Sequence, residues 1–277
     1  MRRFLAIALI MMILAGCGAS GGSASGSGSG PAPAKEKLVV GMECNYAPFN
    51  WTQVEDSDTA VSLGGAGFAD GYDVVMASYL AEKLGMELEI KKIEWTGLEP
   101  AVSSGEIDAI IAGMTATDER RENADFTSPY YESEMVCIVR ADDPLASATS
   151  LADFTGKRVL GQLNTLYDEI IDQIPEVDHA TPMQSYPLMV VAIRNKEADA
   201  ITAELPVANG VVASNPDLAI VRFAEGQGFE ADTSVSIAVK KGNTELLDQL
   251  EEALATVSEE QRVEWMAAAV ERQPANE

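Results

Sequence analysis

Short apolar runs alternate with stretches of helical spacing over the first part of the chain. The apolar runs predict strands, and the regularly spaced apolar positions predict helices. The expected elements are strands over 38–42, 86–90 and 107–112 and helices over 72–84 and 98–104. Gly85 and Gly105 follow the two helices, where glycine commonly ends a helix. This order favours a parallel sheet covered by helices. The segment 45–71 is rich in Pro, Asn and Gly, which predicts a loop.

The alternation of strands and helices restarts after Tyr131. The expected elements are strands over 135–139, 157–160, 198–202 and 234–239 and helices over 166–174, 188–194 and 244–272. Two α/β units joined by extended segments predict two lobes with a cleft between them. Clefts at such interfaces are common ligand sites.

The stretch that joins the third predicted strand to the next helix carries an unusually placed cation. Thr117, followed by two acids, is a good helix start. Arg120 falls in the first turn of that helix, where the helix dipole disfavours a positive charge. An arginine beside free N–H groups indicates an anion site. A surface ion pair with Asp118 or Glu122 is the alternative that the pattern leaves open.

The N-terminus predicts export and a lipid anchor. Two arginines precede an apolar run over 4–14, which is too short to span a bilayer but fits a secretory signal. The run leads into Leu-Ala-Gly-Cys, so we expect a lipoprotein signal over 1–16 and diacylglycerol on Cys17. Such lipidation holds a protein on the extracytoplasmic face of the bacterial cell membrane. Gly, Ser, Ala and Pro dominate the segment that follows, so 17–36 are expected to be the lipidated cysteine and a flexible tether.

Composition excludes several classes of function. The 277 residues carry a formal net charge of -25, which argues against nucleic acid, because that ligand needs clustered lysine and arginine. Cys44 and Cys137 each lie in an apolar run and are expected to be buried free thiols, and a disulfide between them, which the compartment permits, is the alternative. The one histidine, His179, is expected in a solvated loop. It offers no Ser-His-Asp, Cys-His or metal-binding arrangement, so we expect a protein that is not an enzyme and has no cofactor or metal.

Several motifs, taken together and in order, resemble the family 3 extracellular solute-binding proteins, the receptors of amino-acid ABC importers. They lie at 46–49, 71–73, 95–101, 105–109, 112–120, 125–131, 156–159, 199–204 and 237–242. The resemblance implies an α/β, two-lobed periplasmic-binding-protein type II fold, in which each lobe is a mostly parallel sheet flanked by helices. It implies that lobe 1 comprises 37–132 and the return over 233–277, that lobe 2 comprises 133–232, and that hinge crossovers lie near 130–134 and 231–235.

The resemblance also implies how the backbone groups of a free amino acid are bound. Arg120 would clamp the α-carboxylate with two charge-assisted hydrogen bonds, and Thr115 would add its hydroxyl and N–H. The carbonyl of Gly113 would accept from the α-ammonium. From the second lobe, Glu204 would be the acidic partner of the ammonium, and Thr165 would contact the carboxylate.

The remaining matched positions predict the side chain of the ligand. Tyr46 and Trp95 would form an aromatic wall, although Trp95 also fits a plain core position. Glu43 would meet the far end of a polar or basic side chain, so ion pairing and cation–π attraction both favour lysine or arginine, with glutamine or histidine next. The expected partners are an ABC permease with its ATPase, and the protein is expected to be a monomer. A ligand-sensing lipoprotein and a cyclohexadienyl-dehydratase-like enzyme on the same fold are the alternatives.

Overall fold

A computed structural model describes residues 36–274 of the chain. The predicted signal segment, Cys17 and nearly all of the predicted tether lie outside these residues. The strands are β1 Lys37–Met42, β2 Asn45–Tyr46, β3 Asn50–Gln53, β4 Val61–Ser62, β5 Phe68–Asp70, β6 Glu87–Lys92, β7 Ala109–Ile110, β8 Ala124–Phe126, β9 Met135–Arg140, β10 Arg158–Leu160, β11 Asp178–His179, β12 Ala200–Glu204, β13 Leu218–Val221 and β14 Ala238–Lys240. The α-helices are α1 Tyr72–Leu84, α2 Trp95–Ser104, α3 Asp118–Asn123, α4 Leu166–Glu169, α5 Tyr186–Arg194, α6 Leu205–Ser214, α7 Thr244–Leu254 and α8 Glu259–Arg272.

Two five-stranded sheets organise the chain. The first has the order β6-β1-β7-β14-β8 and the second the order β11-β10-β12-β9-β13. We call the parts of the chain built on them the first and the second lobe. In each sheet a single strand, β14 or β9, runs antiparallel to its neighbours. The prediction of two lobes with mostly parallel sheets is therefore confirmed.

The antiparallel strand of each sheet is the one that enters from the other lobe. The segment 127–134 leads from β8 into β9, and 222–237 leads from β13 back into β14. The two crossovers bond to each other, since the N–H of Val235 donates to the carbonyl of Tyr131 over 2.9 Å and the N–H of Tyr130 donates to that of Val235 over 2.8 Å. The predicted hinges fall on this pair of crossovers.

Local sequence accounts for the ends of the helices in the first lobe. Gly85 and Gly105 end α1 and α2 in the left-handed conformation, as the sequence predicts. Gly71 precedes α1 at φ 132°, and a Cβ on it would lie 2.3 Å from the carbonyl oxygen of Phe49. Glycine at this position therefore permits the close approach of two backbone segments.

Two predictions about elements are wrong, and two further elements were not predicted. The segment 45–71 is a small antiparallel sheet of order β2-β3-β5-β4 and not a loop, because strands of two to four residues give too few positions for alternation to show. The predicted helix over 244–272 is two helices, separated where Ser258 forms a capping box with Gln261. Helix α6 and strand β13 follow β12 without a clear change of apolar pattern, and the sequence analysis missed both.

The cysteines and the histidine have defined places in the described residues. Cys44 and Cys137 lie buried as free thiols, as expected. His179 is not in a solvated loop, since it belongs to β11 and its ring nitrogens lie 3.0 Å from a carboxylate oxygen of Asp168 and 2.8 Å from one of Asp172. Over 36–274, every helix is too short or too polar to cross a bilayer.

Replacing Gly71 with alanine should destabilise the fold by about 2–4 kcal/mol, because the new Cβ would collide with the carbonyl of Phe49 at a backbone angle that alanine rarely adopts. Urea unfolding followed by circular dichroism measures the effect. Gly65→Ala is the matched control, since a Cβ there meets nothing within 4 Å, and its effect should stay within about 0.5 kcal/mol. Equal stability of the two variants would contradict this account of Gly71.

Candidate functional site

A narrow cavity lies between the two lobes. It is lined by Glu43, Tyr46, Trp95, Ala112, Gly113, Thr115 and Arg120 of the first lobe and by Gln162, Thr165, Leu166 and Tyr167 of the second. Seven of the eight residues that the sequence analysis assigns to a binding site are in this set, and the eighth, Glu204, lies behind the wall. The space between these side chains holds about one water molecule.

The end of β1 places Glu43 and Tyr46 at the cavity. Glu43 follows the last residue of the strand, and Cys44 then turns the chain with a positive φ of 54°. The N–H of Cys44 donates to the side-chain oxygen of Asn50 over 2.7 Å, which fixes this turn. Tyr46 stacks on Phe49, with ring centres 5.4 Å apart, so its ring forms a rigid face of the cavity.

The segment after β7 forms the next part of the wall. Gly113 has φ 62°, and a Cβ on it would lie 3.1 Å from the ring of Tyr46, so glycine leaves room for that ring. The N–H of Gly113 donates to the hydroxyl of Tyr130 over 2.9 Å. Tyr130 belongs to the first crossover, so one hydrogen bond joins the cavity wall to the segment that connects the lobes.

Asp73 at the start of α1 links these two segments. Its carboxylate accepts from the side-chain amide of Asn50 over 2.8 Å and from the hydroxyl of Tyr130 over 2.7 Å. Asp73 is fully buried, and desolvation raises its pKa to about 6, although both hydrogen bonds oppose the rise. A single buried carboxylate therefore supports both the turn at Cys44 and the segment at Gly113.

Arg120 lies in the cavity wall with its guanidinium held on three sides. Thr117 caps the N-terminus of helix α3, and its hydroxyl accepts from the N–H of Arg120. The guanidinium donates to Glu99 over 3.2 Å, to the carbonyl of Thr115 over 2.9 Å and to the carbonyl of Asn164 over 2.8 Å. Since a guanidinium has five N–H groups, two remain for an anion. The side chain is nearly buried and pairs with Glu99, not with the neighbouring acids of its own helix.

Trp95 packs beside Arg120 and contacts the opposite lobe. The guanidinium carbon lies 5.1 Å from the ring centre, a cation–π distance. The indole N–H donates to the carbonyl of Asn164 over 2.9 Å. Asn164 has a positive φ of 59°, which turns this carbonyl of the second lobe toward two donors of the first. Trp95 therefore does not only fill the core but also contacts Arg120 and the second lobe.

Glu43 meets the second lobe through Gln162. The side-chain amide of Gln162 donates to the carboxylate of Glu43 over 3.1 Å. Desolvation raises the pKa of Glu43 to about 7, and this hydrogen bond only partly opposes the rise. The sequence analysis missed Gln162, although it lies just beyond the carboxyl end of β10, where parallel sheets bind ligands.

Glu204 lies one hydrogen bond behind the cavity. It is fully buried at the end of β12, and its carboxylate accepts from the hydroxyls of Tyr46, of Tyr167 over 3.1 Å and of Ser133 over 2.7 Å. Desolvation raises its pKa to about 7, and the three hydroxyls oppose the rise. Tyr167, which the sequence analysis did not single out, therefore belongs to the same network.

The charges of the cavity are separated. Arg120 and Glu43 both line it, yet they form no ion pair with each other in the described part of the chain, and each contacts a different residue of the second lobe. One group can pair with a carboxylate and the other with a cation. A compact ligand that carries both charges at a distance fits this arrangement.

Acidic side chains surround the outer mouth of the cleft. On the far side of Trp95 and Arg120, a wider hollow is lined by polar residues that include Glu99, Glu119 and Glu169. Glu169 comes from the second lobe, so acids of both lobes face the approach to Arg120. Such a field attracts cations and repels anions that carry no positive group.

Comparisons with known proteins show which proteins the chain is similar to. The profile of the bacterial extracellular solute-binding proteins, family 3, matches residues 38–268. The chain is 34% identical over 69% of its length to a probable histidine-binding protein of Campylobacter jejuni, of which it covers 70%. It is 29% identical over 83% of its length to the arginine-binding extracellular protein ArtP of Bacillus subtilis, of which it covers 84%.

A solved structure gives the corresponding fold. The amino acid ABC transporter substrate-binding protein AbpA of Streptococcus pneumoniae, bound to L-arginine, superposes with a TM-score of 0.75 at 28% identity. The match covers 85% of this chain and 94% of that one.

Replacing Glu43 with glutamine should flatten the dependence of stability on pH. Because the pKa of Glu43 rises from 4.5 to about 7 on folding, its contribution to stability is complete below pH 4.5 and is lost as the pH rises through 7. The variant should therefore gain about 2 kcal/mol over the unchanged protein between pH 5 and pH 8, as measured by urea unfolding without ligand. Glu82→Gln, which replaces an exposed carboxylate of α1, is the matched control. If the free energy of unfolding of Glu43→Gln changed with pH in parallel with that of the unchanged protein, the account would be contradicted.

Proposed function

The chain belongs to the bacterial extracellular solute-binding proteins of family 3, and on that premise we propose that its ligand is a cationic amino acid, arginine or lysine. It is the substrate-binding protein of an amino-acid ABC transporter, which implies a membrane permease as its partner. The observation that carries the choice of ligand is the pair of separated charges, Arg120 and Glu43, in one cavity between the lobes.

We place the α-carboxylate of the ligand on Arg120. Two of its N–H groups are free of protein partners within 36–274, and two parallel hydrogen bonds to a carboxylate are the strong geometry for a guanidinium. The hydroxyl and N–H of Thr115 and the N-terminal end of α4 at Thr165 supply further donors nearby. The pair with Glu99 holds the guanidinium in its orientation.

We place the α-ammonium against the carbonyl of Gly113. Glu204 acts on it through the hydroxyl of Tyr46, because Tyr46 and Tyr167 stand between this carboxylate and the cavity. A cation at this point stabilises the ionised form of Glu204, which desolvation otherwise disfavours.

The side chain of the ligand then runs toward Glu43, past the rings of Tyr46 and Trp95. A cationic end pairs with a nearly buried carboxylate whose one hydrogen-bond partner among residues 36–274 is an amide. The names of the relatives support this choice, since two of the three proteins compared bind arginine and one is a probable histidine-binding protein.

Binding requires the lobes to separate and close again. The cavity holds about one water molecule, so a free amino acid enters only when the contacts across the cleft open. These contacts join Asn164 to Trp95 and Arg120, and Gln162 to Glu43. Because the ligand gains its full set of contacts only from both lobes, binding favours the closed form that is presented to the permease.

We further propose that the protein is a lipid-anchored monomer on the extracytoplasmic face of the membrane. The signal pattern over 1–16 supports cleavage and lipidation at Cys17, and the composition of 18–36 supports a tether that keeps the lobes near the permease. The lobe boundaries proposed are 37–132 with 233–277 for lobe 1 and 133–232 for lobe 2.

Titration calorimetry with the twenty amino acids tests the ligand. Arginine or lysine should bind tightest, with glutamine and histidine weaker by roughly tenfold or more, because only a full positive charge compensates the desolvated carboxylate of Glu43. Glutamate should not bind, so its titration should show no heat of binding. Tight binding of glutamate or of an aliphatic amino acid, with arginine and lysine silent, would contradict the proposal.

Replacing Arg120 with alanine should weaken binding of the preferred amino acid roughly 100-fold or more, since a buried charge-assisted pair with the carboxylate is lost. Arg121→Ala is the matched control. Arg121 neighbours it in sequence but is exposed and packs over Phe126, so its removal should change affinity less than about threefold. Circular dichroism shows whether both variants are folded, and retained affinity in a folded Arg120→Ala protein would place the carboxylate elsewhere.

A further inference from the structure

The side-chain amide of Gln162 has a defined orientation. Its nitrogen donates to the carboxylate of Glu43 over 3.1 Å and to the carbonyl of Gln184 over 3.2 Å. The carbonyl of Gln184 can only accept, so the nitrogen, not the oxygen, must face it and its neighbour Glu43. The amide oxygen consequently points away from both.

That oxygen is an open acceptor. No donor among residues 36–274 reaches it, although only 4% of Gln162 is exposed. Every fully buried side-chain nitrogen or oxygen in the same range has a hydrogen-bond partner. The oxygen of Gln162, which has none, is therefore accessible, and the residue lines the cavity.

The carboxylate of Glu43 is open in the same way. One of its oxygens accepts from Gln162, and the other accepts from no described residue while Glu43 is only 2% exposed. Glu43 belongs to the first lobe and Gln162 to the second. Two oxygens without a partner among the described residues thus belong to residues that line the same cavity from opposite lobes.

We infer that Gln162 is a specificity-determining residue, which with Glu43 forms an acceptor pair for a guanidinium group. This inference rests on the proposed function and narrows it from cationic amino acids to those with a guanidinium. A guanidinium is planar and carries five N–H groups in a fixed fork, so it can pair with the carboxylate and still donate to the amide oxygen. The ammonium of lysine is a compact, strongly hydrated charge with three donors, which matches a single carboxylate better than a divided pair.

Because Gln162 belongs to the second lobe, it can recognise the side chain of the ligand only when the two lobes close. The oxygen of Gln162 reaches the ligand only when the second lobe meets the first, as its bond to Glu43 shows. A ligand without a second donor at this point gains less from closure than a guanidinium does, because it leaves the oxygen of Gln162 without a partner. The preference for a guanidinium therefore acts on the closed state.

Calorimetric titration of Gln162→Leu with arginine and with lysine tests the inference. Leucine keeps the approximate size and removes both the acceptor oxygen and the donor to Glu43, and the loss of that donor is common to the two ligands. The unchanged protein should bind arginine at least tenfold more tightly than lysine, and the variant should lose roughly 10- to 100-fold for arginine but less than threefold for lysine. Gln173→Leu, a glutamine of the same lobe that bonds only to Glu230, is the control and should change neither.

The ratio of the two affinities separates a specific role from a structural one. Equal losses for arginine and lysine, or an unchanged affinity for arginine, would overturn the role of Gln162 while leaving the proposed function in place. A preference for lysine in the unchanged protein would do the same. Failure of the unchanged protein to bind either amino acid would instead overturn the proposed function together with this inference.

Discussion

Burial of carboxylates without a cationic partner is the constraint on which the cleft depends. Glu43, Asp73 and Glu204 are each withdrawn from water, and within the described residues their side-chain hydrogen bonds come from hydroxyl and amide groups only. The one guanidinium of the cavity, that of Arg120, pairs with Glu99 instead. Because desolvation disfavours each ionised carboxylate, the cavity as a whole favours a positively charged occupant.

The same hydrogen bonds that satisfy these carboxylates also hold the walls and the lobes in register. Asp73 ties the turn after β1 and the segment after β7 to Tyr130 of a crossover. Glu204 accepts from Tyr46 of the first lobe and from Ser133 of that crossover. The site is thus built from residues whose partners belong to both lobes and to a crossover, and under the proposed function occupancy of the cavity and position of the lobes affect each other.

The sequence was sufficient to predict the two lobes and most of the residues of the cavity wall. Apolar periodicity and glycine ends located α1 and α2, and the dipole argument singled out Arg120, whose ion-pair partner Glu99 lies outside its own helix. Periodicity could not predict β2 to β5, which are too short. It also could not show that Glu204 lies behind the hydroxyl of Tyr46 or that Gln162 reaches across to Glu43, because both contacts join residues more than 100 positions apart.

The central claim is that a positively charged ligand compensates the desolvated carboxylates of the cleft. Calorimetric titration with arginine at pH 6.5, repeated in buffers of different ionisation enthalpy, counts the protons exchanged on binding. Because Glu43 and Glu204 have pKa values raised to about 7, both are partly protonated in the ligand-free protein and become ionised beside the ligand. The account predicts a release of roughly one proton for each arginine bound. Uptake of protons, or heats that do not depend on the buffer, would contradict it.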